Sequence, residues 1–162
     1  MPDLTVRIQI RDLRMADVQN LRWSGGGSHL RAIAIQLERV TAGLADYLVA
    51  CPPSGLPVGK LGIDYASRPD AGLIHQVAVH ETLQSCGIGT LLMQAAEDHI
   101  RDHGRTHAEL GVERSNPRAR ALYERLGYVA YGEEQEEWDD DQPDGSVARY
   151  RTICTLMRKR LS

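Results

Sequence analysis

Val6, Ile8 and Ile10 alternate with Arg7, Gln9 and Arg11, the period-two pattern of a strand with one buried face. Asp17 then caps a short helical stretch ending near Trp23. Ser24-Gly25-Gly26-Gly27-Ser28 reads as a flexible break. From His29 to Leu44, Leu30, Ile33, Leu37, Val40 and Leu44 fall at helical spacing and predict an amphipathic helix. Three strands follow, Tyr47 to Cys51, Val58 to Tyr65 and Leu73 to His80, separated by the turns Pro52-Pro53-Ser54-Gly55 and Pro69-Asp70-Ala71-Gly72. A glycine-containing loop at 84–89 leads into a helix from about Gly89 to His103, and a strand spans about 107–113. Asn116 as N-cap and Pro117 at the first helical position open another helix, which Gly127 stops. Two last strands, roughly 128–137 and 147–157, flank a very acidic connection.

The order is β-α-α-β-β-β-α-β-α-β-β, which fits neither a pure βα alternation nor an all-β chain. No linker divides it, so one domain over 1–162 is expected. Composition changes this picture little: 162 residues, 42% hydrophobic and 25% charged, is ordinary for a globular chain. A net charge of −3 disfavours a nucleic-acid partner. No apolar run approaches the length of a membrane span, and the first ten residues lack the basic and apolar regions of a signal peptide. Cys51, Cys86 and Cys154 are odd in number and far apart, which suits a reducing, cytoplasmic setting rather than a disulfide framework or a zinc site.

Two blocks carry chemistry. Gln84-Ser85-Cys86-Gly87-Ile88-Gly89 lies between a strand and a helix, where two glycines allow close backbone approach and successive N–H groups present an anion site. A P-loop would need Gly-Lys-Ser/Thr where Gly89-Thr90-Leu91 stands, and a dinucleotide fingerprint would need glycine at Leu92. The second block is Asn116-Pro117-Arg118-Ala119-Arg120-Ala121-Leu122-Tyr123-Glu124-Arg125-Leu126-Gly127-Tyr128, by itself a well-capped helix feeding a strand.

Together these blocks resemble the GNAT superfamily of acetyl-CoA-dependent N-acetyltransferases, with its Gln/Arg-x-x-Gly-x-Gly/Ala loop, its Asn-x-x-Ala-x-x-x-Tyr helix and its Leu-Gly-Phe/Tyr ending. The match is firm over 72–128 and weakest after 130. It implies an α/β (α+β) fold: a mixed, mostly antiparallel sheet of six to seven strands, splayed at the central strands around Val77 to Val79, with about four helices. It further implies that acetyl-CoA lays its pyrophosphate on the backbone of Gln84, Ser85, Cys86, Gly87, Ile88, Gly89 and Thr90. The pantetheine arm would then run along the backbone of Val77, Ala78 and Val79 and bond to Asn116. Arg118 and Arg120 could reach phosphates or form surface ion pairs. Tyr123 matches the family's general acid, able to donate to the departing sulfur; a core tyrosine is the plainer reading. No metal is implied.

The base is less defined. His75 corresponds to a proton-relaying histidine of the serotonin N-acetyltransferases, and an imidazole suits that transfer; the second base of that group is replaced by Leu73. Relatives that acetylate protein N-termini carry a glutamate where Gly111 stands. Glu113 and Glu109 share the face of Gly111 and are alternatives. His99, His103 and His107 recur every four residues without the acidic partner of a zinc-protease motif. Cys86 reads as a loop residue.

Segment 133–144 holds eight acids and no base, leaving 14 acids against 19 bases elsewhere. In relatives this hairpin borders the acceptor site. It reads either as a solvated, partly mobile loop or as a surface steering a cationic amine, with Trp138 able to hold a cation. The expected acceptor is a small cationic amine: a polyamine, aminoglycoside or arylalkylamine. A protein N-terminus or lysine is the alternative acceptor, and a non-catalytic acyl-CoA sensor the alternative function. A homodimer through the C-terminal strands is possible, as in relatives.

Overall fold

The computed structural model describes residues 1–161. One seven-stranded sheet is built from β1 (Gln9–Asp12), β2 (Ala45–Cys51), β3 (Gly59–Asp64), β4 (Ala71–Val79), β5 (His107–Glu113), β6 (Val129–Asp141) and β7 (Val147–Arg160). Its order is β1-β2-β3-β4-β5-β7-β6. All neighbours are antiparallel except β4 and β5. The helices are α1 (Gly27–Thr41), α2 (Ile88–Asp102) and α3 (Pro117–Arg125), with 3-10 helices at Met15–Ser24 and Glu81–Leu83. No helix among the described residues is long and apolar enough to cross a membrane.

Strand alternation sends the two sheet faces to different partners. Tyr47, Val49 and Cys51 of β2 pack with Ile33 of α1 and Leu21 of the first 3-10 helix. Leu48, Ala50, Leu61, Ile63 and Ile74 face the other way, onto Leu92, Met93, Ala96 and Ile100 of α2 and Tyr123 of α3. Glycines admit this packing at two close approaches. A Cβ on Gly72 would lie 2.8 Å from Ile100 Cδ1, and one on Gly59 2.9 Å from Leu92 Cδ1.

Two features of β4 shape the centre. Gln76 is left-handed, with φ of 54°, and the register to β3 shifts there. This bulge is pinned from two sides. Lys60 Nζ, itself buried on β3, donates to the Gln76 carbonyl at 2.6 Å, and Tyr47 Oη donates to Gln76 Oε1 at 2.8 Å. The bulge also reverses the alternation: His75 stays on the α1 face, whereas Val77 and Val79 pack into the α2 core. The second feature is the short ladder to β5, which ends at Ile74–Leu110. Beyond that pair the strands part.

Several sequence expectations are corrected. The first strand is Gln9–Asp12, not Val6 to Ile10, because β2 ends at Cys51 opposite Gln9 and leaves the residues before it without a neighbour. The first helical stretch is 3-10. The glycine-rich break is partly helical: α1 starts at Gly27, and Asp141 replaces the cap that Gly26 cannot supply. Asp141 Oδ2 accepts from the Ser28 N–H at 2.8 Å and Oδ1 accepts from Ser28 Oγ at 2.9 Å. The strand expected to end near 137 continues through the acids to Asp141, which leaves a shorter connection than expected. β6 runs to Asp141 opposite β7, where Arg149 pairs with Glu137 and Asp139 and Arg151 with Glu137.

Candidate active site

A cavity of about 890 Å³ passes through the split between β4 and β5. From the α1 face it is lined by His75, Gly111, Glu113 and Glu136, with His29 and Arg31 of α1 opposite. From the α3 face it is lined by Asn116, Ala119 and Tyr123. His75 of β4 and Tyr123 of α3 thus open onto one cavity because the β4–β5 ladder stops early.

Tyr123 is 7% exposed and meets Tyr128 edge-on at 6.2 Å between ring centroids. Burial pushes its hydroxyl up to about 12, so it stays protonated across the neutral range. Asn116 caps α3, its side-chain oxygen accepting from the Ala119 N–H at 3.1 Å. His75 lies over Gly62, and its Nε2 is buried without a hydrogen bond. Burial lowers its pKa to about 4, against a smaller opposing pull from Asp64, so the ring is neutral near pH 7. His29 behaves alike: burial, then the charge of Lys60, takes it to about 4, and its Nε2 is also buried and unpaired. Lys60 is itself lowered to about 7 by burial.

At the α3 end, Ser85 and Gly87 are both left-handed, with φ of 63° and 91°, which turns the loop 84–87 outward ahead of α2. The first helical bond is from the Leu91 N–H to the Gly87 carbonyl at 3.1 Å, so the N–H groups before it project from the helix start. Arg118 reaches across from α3, donating to Gln84 Oε1 at 3.2 Å and to Ser85 Oγ. Gln84 Nε2 in turn donates to the Val79 carbonyl at 3.3 Å. The loop, the start of α3 and the end of β4 are therefore one connected surface. Gly89 lets α2 and α3 converge, since a Cβ there would be 3.3 Å from Leu122 Cδ2.

A loop of backbone donors, a tyrosine-bearing helix and a split sheet are the frame expected from the motifs. The Acetyltransferase (GNAT) family model matches residues 15–128, which is most of the chain. The chain belongs to the GNAT acetyltransferase family. A mycothiol acetyltransferase from Paenarthrobacter aurescens is 32% identical over 82 residues, covering 51% of this chain and 23% of that protein. The chain spans less than half the length of the curated relatives it matches. The ribosomal-protein-S18-alanine N-acetyltransferase from Escherichia coli superposes with a TM-score of 0.73 at 19% identity, over 96% of this chain and 95% of that one. An N-acetyltransferase from Thermoplasma acidophilum, solved in complex with coenzyme A, gives 0.69 at 15% identity, over 95% and 99%. These structures share the fold.

The expected carboxylates separate. Glu109 is buried away from the cavity, accepting from Tyr131 Oη and pairing with Arg68 at 3.6 Å and Arg158 at 3.7 Å, and is spent on packing the sheet. Glu113 lines the cavity and accepts from Ser115 Oγ and Tyr150 Oη, each at 3.2 Å. The histidine series also divides. His99 and His103 lie 3.1 Å and 3.6 Å from Asp46, whereas His107 faces Asp70 at 3.7 Å. Cys86 is exposed in the loop. His29, Lys60 and Glu136 were not singled out individually by sequence. His29 followed a glycine run and Lys60 sat in a strand pattern. Glu136 was one acid among eight.

Proposed function

We propose that residues 1–162 form one acetyltransferase domain that moves the acetyl group of acetyl-CoA to the primary amine of a small cationic acceptor. The observation that carries this reading is the cavity through the split sheet, with a backbone-donor loop at one mouth and carboxylates at the other. Acetyl-CoA would enter from the α3 side, its pyrophosphate on the N–H groups of Gln84 to Thr90 and beside Arg118. Its pantetheine would lie along the open edge of Val77 to Val79 and reach Asn116, whose side-chain oxygen is committed to capping and whose amide nitrogen is the group left to bond it. The His80 N–H donates to the Val58 carbonyl, just before β3, at 2.7 Å, and alternation turns the neighbouring Val79 N–H toward the split, where it can face the thioester oxygen.

The amine, once unprotonated, attacks the thioester carbon and the C–S bond breaks. Tyr123 donates to the sulfur as charge develops. A thiol titrates near 8.5, below the buried tyrosine, so the hydroxyl acts first as a hydrogen-bond donor to the thiolate. His75, neutral and lining the same cavity, receives the amine proton through water. Its low basicity makes it a relay that passes the proton on to solvent. The small acceptor is favoured over a protein terminus because Asp141 ties the β6–β7 arm onto the start of α1 and so roofs the acceptor side.

Thiol release from acetyl-CoA is to be followed with polyamines, aminoglycosides, arylalkylamines and short peptides, in the wild type and in Tyr123→Phe. A general acid is worth about 10²–10⁴-fold in turnover. Turnover on small amines is expected, with Tyr123→Phe losing at least about a hundredfold while its acetyl-CoA affinity is unchanged. Turnover on peptides alone refutes the acceptor class, and tight acetyl-CoA binding with no turnover on any amine marks a sensor.

A further inference from the structure

The acidic wall of the cavity is less acidic than its composition suggests. Glu137 is paired with Arg149 and Arg151, and Asp139 with Arg149. Glu113 accepts from two hydroxyls, both at Oε2. Glu136 differs from all three. Its one partner is the Cys154 thiol, at 3.1 Å from Oε2, a weak donor that burial and Glu136 itself keep protonated. Its other oxygen, Oε1, lies 3.5 Å from where a Cβ on Gly111 would stand. A Cβ on Gly111 would be in ordinary contact with that oxygen, and a longer side chain there would extend toward the carboxylate delivered from β6.

The surroundings of that carboxylate define what it can hold. Trp138 is two residues along β6, so it shares the face of Glu136, and it too lines the cavity. Its ring lies 5.0 Å from that of Tyr150, which makes an aromatic wall beside the charge. Ile35 adds an apolar side chain from α1. Arg31 also lines the cavity, as does Arg149, whose charge is already matched by Glu137 and Asp139. A carboxylate whose one partner is a thiol, with an aromatic wall and an apolar side chain beside it, suits an ammonium on a short aryl or alkyl stem, a wall that a polyamine would not fill.

We propose that Glu136 is the specificity-determining residue of this site, receiving the acceptor's ammonium while Trp138 covers an aryl or alkyl stem, so that the acceptor is an arylalkyl monoamine rather than a polyamine. This rests on the acetyltransferase reading above and narrows it. The pull comes from one carboxylate inside a cavity and not from the run of acids along β6.

The test titrates CoA-loaded protein with 2-phenylethylamine and with spermidine by calorimetry, at low and high salt, beside steady-state turnover with acetyl-CoA. The expected result is 2-phenylethylamine bound at least tenfold more tightly than spermidine. Glu136→Gln then weakens it at least tenfold and leaves the acetyl-CoA KM unchanged, and Trp138→Ala weakens it at least threefold. Glu134→Gln, an acid of the same strand that is not among the cavity-lining residues, stays within twofold. Tighter binding of spermidine, no binding of 2-phenylethylamine, or a Glu136→Gln protein within twofold of wild type overturns the proposal. If CoA binds and transfer to another amine proceeds in any of those cases, the acetyltransferase reading stands and this inference alone fails. If CoA does not bind, the acetyltransferase reading fails first and takes this inference with it.

Discussion

Gly62 on β3 lies beneath two rings that matter to the site, and replacing it with alanine tests the arrangement of His75 directly. The added Cβ would lie 2.9 Å from His75 Nε2, 3.1 Å from His75 Cε1 and 3.1 Å from Tyr47 Cδ2. Carbon contacts are comfortable at about 3.5–4.0 Å, so the rings must withdraw by about half an ångström. Neither ring withdraws freely. Tyr47 is buried against α1 and donates to Gln76, and His75 is fixed at the edge of the bulge. Overpacking of this kind costs about 1–3 kcal/mol. At about 2–4 °C per kcal/mol for a chain of this size, Tm should fall by about 2–12 °C. Because a misplacement of about 1 Å can cost about a hundredfold in rate, half that shift of His75 should also lower kcat several-fold while acetyl-CoA affinity holds. Gly132→Ala is the control: its Cβ would have one neighbour, Leu156 Cδ1 at 3.9 Å. Thermal melts and steady-state kinetics on both variants decide the matter. If Gly62→Ala melts within about 1 °C of Gly132→Ala and turns over like wild type, His75 does not sit over Gly62 and its role as relay loses its geometric basis.

Two further outcomes follow from contacts outside that ring pair. Asp141→Ala should lower the urea midpoint and speed hydrogen exchange at the Ser28 amide, because it removes the cap of α1 and releases the β6–β7 arm; exchange at Ser28 equal to wild type would mean that the arm is held elsewhere. Stability should also fall on mild acidification. His75 has a folded-state pKa near 4 against an ordinary value near 6.5. Between those values the unfolded chain takes up a proton that the folded chain refuses. The His75 contribution is therefore fully present above about 6.5 and drains away as pH falls to about 4, by about 3 kcal/mol at most, and His29, lowered likewise, adds a second slope in the same window. His75→Gln should flatten the His75 part of the slope in Tm, and parallel slopes for the two proteins would remove His75 as a source.

The order of elements was legible because the helices and most strands keep clean periods, and because Asn116-Pro117 and Gly127 mark the ends of α3 without help from tertiary structure. The residues proposed for the cofactor side stand out for the same reason: Gln84 to Thr90, Asn116 and Tyr123 lie in short local motifs. What escaped depends on register between distant strands. The acids beyond 137 argue against a longer strand by propensity, and its continuation to Asp141 accompanies Arg151 and Arg149, which the β6–β7 register brings opposite Glu137 and Asp139. The bulge at Gln76 has no glycine or asparagine to announce it. It forms where a buried ammonium from β3 and a tyrosine hydroxyl from β2 converge on one residue.

Gly111 shows why a motif position can mislead about function. Read along β5, it is a missing glutamate, and Glu109 and Glu113 are the natural substitutes two residues either side. In space, Glu109 is taken by two arginines and a tyrosine, Glu113 by two hydroxyls, and the room over Gly111 is filled from β6. A glutamate on β5 would compete for the volume that Glu136 occupies, so the glycine and the distant carboxylate are a single arrangement. The charge in the cavity can thus be kept while its supplying strand changes. An empty motif position is informative only together with the side chain that packs into the space it leaves.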